Sequence, residues 1–182
     1  MKTKILLTCL LLTAVAAQAQ LKIGIKAGPN FATIDGLSDV KMRTGIHFGA
    51  FAEVKLSPNF AVQPEVLYSM QGAKIDREGF EDIKFDYLTV PVVAKFYLIS
   101  DLLSLEAGPQ FSFLVNDNAK LALDDPSTFD FAVVGGLGIN ITKSLIVQGR
   151  YVVGLTDAST DALRNADYKN HVIQISVGYA FF

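Results

Sequence analysis

Apolar and polar residues alternate along most of this chain, and the alternation is clearest at its end. From His171 to Phe182, Ile173, Ile175, Val177, Tyr179 and Phe181 share one phase, and Gln174, Ser176, Gly178 and Ala180 share the other. Period two places successive side chains on opposite faces of a strand. The same pattern predicts seven earlier strands. Leu21 to Phe31 sets Leu21, Ile23, Ile25, Ala27 and Phe31 against Lys22, Gly24, Lys26, Gly28 and Asn30. The second sets Ile46, Phe48, Ala50, Ala52, Val54 and Leu56 against His47, Gly49, Phe51, Glu53 and Lys55. The others are centred on Phe60–Met70, Leu88–Leu98, Leu103–Val115, Phe131–Ile141 and Leu145–Leu155.

The connections alternate as well. Ser57-Pro58-Asn59, Ser100-Asp101 and Thr142-Lys143-Ser144 are short turns after strands two, four and six. Longer polar loops, at Ala32–Arg43, Gly72–Lys84, Asn116–Thr128 and Asp157–Asn170, follow strands one, three, five and seven. An up-and-down outer-membrane barrel has this rhythm, with short periplasmic turns and long outer loops. The expected fold is an all-β, eight-stranded antiparallel transmembrane barrel. A terminal strand with one bare apolar edge would recruit other chains, and closure removes that edge.

Two polarities are open to eight strands, a secreted calyx with an apolar cavity or a membrane barrel with an apolar exterior. The apolar face carries no charge in any strand core; Asp86 and His171 fall at its rim. The other face carries Lys22, Lys26, Glu53, Lys55, Glu65, Lys95, Glu106, Asp130 and Arg150, with Gly24, Gly28, Gly45, Gly49, Gly108, Gly136, Gly138, Gly154 and Gly178. A narrow interior needs small residues beside large ones, so the charged face belongs inside. Buried charges persist only when paired. A lumen network of Lys26, Glu53, Glu65, Lys95, Glu106 and Arg150 follows, with Arg150 as hub and Glu65 and Glu106 as partners, because a guanidinium bridges two carboxylates. Pro64, Pro91 and Pro109 fall inside strands, where each must mark a bulge or an unpaired ladder position.

The N-terminus adds an address. Lys2 and Lys4, an apolar run from Ile5 to Ala17, and Ala17-Gln18-Ala19 read as a secretory signal peptide over residues 1–19, ahead of a barrel domain over 20–182. The only cysteine, Cys9, lies in that segment, so the mature chain has no thiol chemistry or disulfide. Without Lys2 and Lys4 the chain has 14 bases against 18 acids, a formal charge of −4, which argues against nucleic acid. No later run has the roughly 18 uncharged apolar residues of a membrane helix.

The first-strand motif Ile23-Gly24-Ile25-Lys26-Ala27-Gly28-Pro29-Asn30-Phe31 resembles the opening of the PorT-like outer-membrane β-barrel family of Bacteroidetes-type bacteria. Tyr87-Leu88-Thr89-Val90-Pro91-Val92, Phe129-Asp130-Phe131 with Gly135-Gly136-Leu137-Gly138, and Gly149-Arg150-Tyr151 are similar to later segments of that family. The resemblance spans the mature chain. It implies an outer-membrane barrel, and for its namesake a part in type IX secretion. The ending Tyr179, Phe181 and Phe182 resembles the signal that hands outer-membrane barrels to the barrel assembly machinery.

Candidate chemistry is sparse. His171 with Ser159 and Asp161 or Asp167 has the residue types of a nucleophile, base and acid, but no nucleophile elbow accompanies them. The acidic groups Asp76, Glu78, Glu81 and Asp82, and Asp117, Asp124 and Asp125, match no calcium loop. They read as a solvated surface facing lipopolysaccharide. The outward aromatics read as an interfacial girdle. The expectation is a monomer without catalytic, metal or cofactor site, surrounded by outer-membrane lipid and lipopolysaccharide. Its role is structural or surface-interacting, with a type IX secretion component or a narrow channel as alternatives.

Overall fold

The computed structural model describes residues 20–34, 40–75, 83–117, 129–155 and 170–181. Within them lie eight strands: β1 (Gln20–Ile34), β2 (Val40–Ser57), β3 (Phe60–Ile75), β4 (Ile83–Ile99), β5 (Leu103–Asp117), β6 (Phe129–Asn140), β7 (Leu145–Gly154) and β8 (Asn170–Ala180). Each pairs antiparallel with the next, and β8 returns to β1, closing one barrel. The expected strand count, order and alternation of connections are all present. The proposed signal peptide, Phe182 and the centres of the long loops lie outside the described residues.

Several strands run further than side-chain alternation indicates. β2 begins at Val40, inside the stretch expected to be loop, and β3 reaches Ile75. Lys41 pairs with Lys74, and Gly72 with Lys84. Pairing there is made by backbone groups, which need no apolar side chain once a neighbouring ladder supplies the partner.

The pairing register fixes the barrel's shape. Starting at Leu21, the paired residues run through Val54, Val62, Ala94, Ala107, Gly135, Tyr151 and Ile173 to Phe31. The circuit thus returns to β1 ten residues further along it. Eight strands with that shear, at about 3.3 Å per residue and about 4.8 Å between strands, tilt by about 40° around a backbone radius of about 8 Å. Such an interior holds side chains and little else.

Every strand keeps its apolar phase outward. Ile25 and Leu137 are about half exposed, whereas the inward Lys95 and Glu106 are buried. On β4 the outward apolar run from Leu98 to Leu88 covers ten residue-to-residue steps, which at this tilt span about 25 Å, the height of the apolar band on outer-membrane barrels.

The prolines interrupt ladders without breaking strands. β1 pairs with β8 at Ala27 and again at Asn30, skipping Gly28 and Pro29 in unchanged register. Pairing of β2 with β3 skips Gln63 and Pro64, β3 with β4 skips Pro91 and its neighbour, and β4 with β5 skips Gly108 and Pro109. Each strand residue directs its N–H and C=O to one neighbour, so a proline removes one bond on one side while the other ladder holds. Of the two readings the sequence left open, the unpaired ladder position is the one observed. The register shifts lie at other points, between Met42 and His47, Lys55 and Ser57, Asp86 and Tyr87, and Tyr97 and Ile99. In the short β4–β5 turn, Ser100 takes the left-handed conformation (φ 44°) that glycine adopts more easily.

Candidate functional site: the lumen

Three cations and three anions meet inside the barrel, all buried: Lys26, Lys95 and Arg150 with Glu53, Glu65 and Glu106. They come from β1, β4, β7, β2, β3 and β5, so the group ties six of the eight strands. Arg150 crosses from β7 to β3, four strands away, where Nη1 and Nη2 donate to the two oxygens of Glu65 at 2.9 and 2.8 Å. Its Nε donates to Glu106 Oε2 on β5 at 2.8 Å. Lys26 Nζ lies 2.7 Å from Glu65 Oε2, and Lys95 Nζ donates to Glu53 Oε2 at 2.7 Å.

Uncharged side chains join these pairs. Gln148 donates to Glu106 at 2.9 Å and accepts from Lys26 at 3.2 Å. Gln63 donates to Glu65 at 2.6 Å and accepts from Lys95 at 3.2 Å. Tyr97 donates to Glu53 at 2.7 Å, and its ring faces both Lys95 and Lys55. The carboxylates therefore have the charge partners and hydrogen bonds that burial demands.

Glycine makes room for this layer. A Cβ on Gly138 would lie 2.4 Å from Glu106 Oε1 and 2.7 Å from Ser104 Oγ, and one on Gly136 would meet Arg150 Cα at 2.9 Å. Apolar groups flank the charges. Phe51, Ile146 and Ala180 cluster, Ile146 being on the short-turn side of Gln148 and Arg150 on β7. Val152 follows on the long-loop side and belongs with Ala32, Val93, Ala132, Val134 and Val172.

The structure thus brings together all six residues named from sequence, with Arg150 between Glu65 and Glu106. The other inward charges lie toward the barrel ends, with Lys22 and Lys55 touching the edge of this core at Glu53 and at the Tyr97 ring. Lys55 binds Asp101 of the β4–β5 turn, and Lys22 is 3.9 Å from Glu53 with its side chain 20% exposed. Asp130 is half-buried on β6 toward the long loops. In that turn, outside the spanning strands, the Lys55 ammonium holds the Asp101 carboxyl below the usual carboxylate range.

A second polar cluster was not foreseen. His47 Nδ1 is 2.7 Å from Asn30 Oδ1, and His47 Nε2 is 2.7 Å from Ser176 Oγ. The Asn30 amide nitrogen donates to Ser69 Oγ and to the Met70 carbonyl. Its oxygen is therefore the acceptor, which puts the His47 proton on Nδ1 and lets Nε2 accept from Ser176. This has the bond pattern of a nucleophile, base and orienting group. All three residues are at most 1% exposed, so no acyl substrate reaches the serine. The cluster pins β1, β2, β3 and β8 together. Its sequence signal was polar residues sharing the glycine-rich inward phase. His171 instead lies on the outward rim, stacked on Tyr151 with Nδ1 3.0 Å from the phenol oxygen. Ser159, Asp161 and Asp167 lie outside the described residues. Among the described residues, no three potential metal ligands gather.

At the closing seam Phe181 N donates to Ile23 O of β1 at 2.8 Å, while on the β7 side of β8 Ala180 N donates to Ser144 O at 2.8 Å, and the Tyr179 and Phe181 rings meet edge to face.

Solved structures share this architecture. Neisserial surface protein A is 13% identical with a TM-score of 0.57, covering 90% of this chain and 99% of that one. Ail, the attachment invasion locus protein of Yersinia pestis, solved with the heparin analogue sucrose octasulfate, is 15% identical with a TM-score of 0.54, covering 90% and 99%. Ail in a phospholipid bilayer nanodisc is 18% identical with a TM-score of 0.55, covering 89% and 100%. These likenesses show the fold. Comparison with curated protein sequences finds no significant match. The family model described as outer membrane protein beta-barrel domain matches residues 16–160, and the chain belongs to that family.

Proposed function

We propose that this protein is a small, closed outer-membrane barrel whose role is structural or surface-interacting, and that its lumen conducts no solute. The supporting observation is the Arg150 bridge from β7 to Glu65 on β3, across an interior whose six core charges balance and are flanked by apolar side chains. In this reading residues 1–19 are a cleaved signal peptide, Tyr179, Phe181 and Phe182 present the assembly signal, and a monomer sits among phospholipid and lipopolysaccharide. The long connections carry more acids than bases. A polyanion such as the heparin analogue bound to Ail is therefore disfavoured as their ligand.

Planar-bilayer recording on the refolded chain tests the closed lumen. The expected trace is flat; a stable, ohmic conductance would replace this reading with the narrow channel. The PorT-like alternative rests on the sequence motifs around Tyr87–Val92 and Gly149–Tyr151. It predicts that deleting the gene blocks secretion of type IX cargo, and normal secretion would remove it.

A further inference from the structure

A carboxylate interrupts the outward face. Among the strand residues whose side chains are described, Asp86 is the only acid on that face. It stands immediately above Leu88, at the end of the apolar run on β4 that spans about 25 Å. Asp86 is held in place by Asn116, which donates to Oδ2 at 3.3 Å, and Tyr68 is its diagonal neighbour across the β3–β4 ladder, where Met70 pairs with Asp86 and Tyr68 with Leu88. Tyr68 in turn meets Phe48 with ring centroids 5.5 Å apart. Phe48 and Tyr68 pair across β2 and β3, and Asp86 and Asn116 across β4 and β5, so the four form one ridge climbing toward the long loops.

We propose that this ridge holds a sugar of the glycolipid headgroups in the outer leaflet. Height selects the occupant, because the ridge leaves the acyl region at Leu88 and meets the layer above it. Charge then selects within that layer. A carboxylate repels the phosphates of a lipid headgroup and accepts from hydroxyls. The contact with Asp86 uses one of the two amide N–H groups of Asn116, whose amide also carries a carbonyl oxygen. The Phe48 and Tyr68 rings offer flat apolar faces for the C–H side of a pyranose. The inference rests on the orientation adopted above, with the long connections outside the cell.

The test compares binding of a rough lipopolysaccharide and of phosphatidylglycerol to the mature barrel in nanodiscs, by native mass spectrometry. Heat-shifted gel mobility reports folding separately, and failure to fold in lipid would count against the barrel reading itself. Losing one or two hydrogen bonds should lower lipopolysaccharide affinity about three- to tenfold in Asp86→Ala, and by less in Tyr68→Phe. Phosphatidylglycerol binding should not change, and Asp101→Ala at the opposite rim should match wild type for both lipids. Should Asp86→Ala not fold, the more conservative Asp86→Asn and Tyr68→Phe carry the test. Undiminished lipopolysaccharide binding by the folded variants would overturn the proposal. So would loss of wild-type binding on adding a chelator, which would assign the contact to a divalent bridge between Asp86 and a phosphate.

Discussion

Replacing Arg150 by alanine removes the guanidinium that joins Glu106 to Glu65 on the opposite wall of the lumen. Glu65 loses both donors from the guanidinium, and Glu106 loses Nε and Nη2. Three anions then face two cations in a buried layer. Breaking a buried pair by deleting one partner typically costs about 3–5 kcal/mol. Here Lys26 still contacts Glu65 at 2.7 Å, and Gln148 still donates to Glu106 at 2.9 Å. The low end of that range applies, about 3 kcal/mol. The loss should arise from imbalance as well as from missing bonds. Adding Glu106→Gln to Arg150→Ala restores two cations to two anions and should recover part of it. Because the chain lacks tryptophan, urea unfolding in lipid vesicles is best followed by circular dichroism and gel mobility. Stability of Arg150→Ala within about 0.5 kcal/mol of wild type, the level of an ordinary surface change, would refute the reasoning.

Other perturbations probe the faces, the seam and the turns. Val92→Arg, in the middle of the outward run on β4, should cost about 2–4 kcal/mol in lipid, whereas the effect of Gln63→Arg should depend on the added charge beside Lys95; a neutral Val92→Arg would reverse the assignment of faces. Deleting Phe181 and Phe182 should sharply reduce the level of folded barrel in isolated outer membranes, and an unchanged level would deny the terminal strand its assembly role. Gly138→Ala should destabilise by about 1–3 kcal/mol through its collision with Glu106, while Gly149→Ala, whose Cβ would have nothing within 4 Å, should be tolerated; equal unfolding midpoints for the two would contradict the packing described. The Asp101 carboxyl, held low by Lys55, contributes its contact above the carboxylate's unfolded pKa and loses it as pH falls through the lowered folded value. NMR titration should show that low midpoint, moving upward in Lys55→Met.

Period-two alternation carried most of the fold, because a thin wall between lipid and a narrow interior forces each residue to choose a side. It also placed the six core charges in the inward phase, since a charge at mid-height in such a wall must leave the lipid side, and Asp86 faces outward only at the rim. What it could not resolve is set by the backbone and by depth. The extra pairs at Lys41 with Lys74 and Gly72 with Lys84 leave no trace in side-chain polarity. Whether Pro64 bends a strand or empties one ladder position depends on which neighbour its nitrogen faces. Gln63, Gln148 and the His47–Asn30–Ser176 cluster sat in the inward phase, yet their partners lie 129 residues away in the longest case and only the shear brings them level. Lys22 and Lys55 shared that phase too, and their place at the rim follows from the same offset.

The central claim, that one guanidinium closes the lumen by joining opposite walls, is tested most directly by double-mutant cycles of Arg150→Ala with Glu65→Ala and with Glu106→Ala in lipid. Contacting residues of one network show coupling energies of about 0.5–3 kcal/mol. Coupling above about 1 kcal/mol at both carboxylates is the expected result. Additive effects at both, with Arg150→Ala as stable as wild type, would mean separate, solvated charges in an open lumen and would contradict the account.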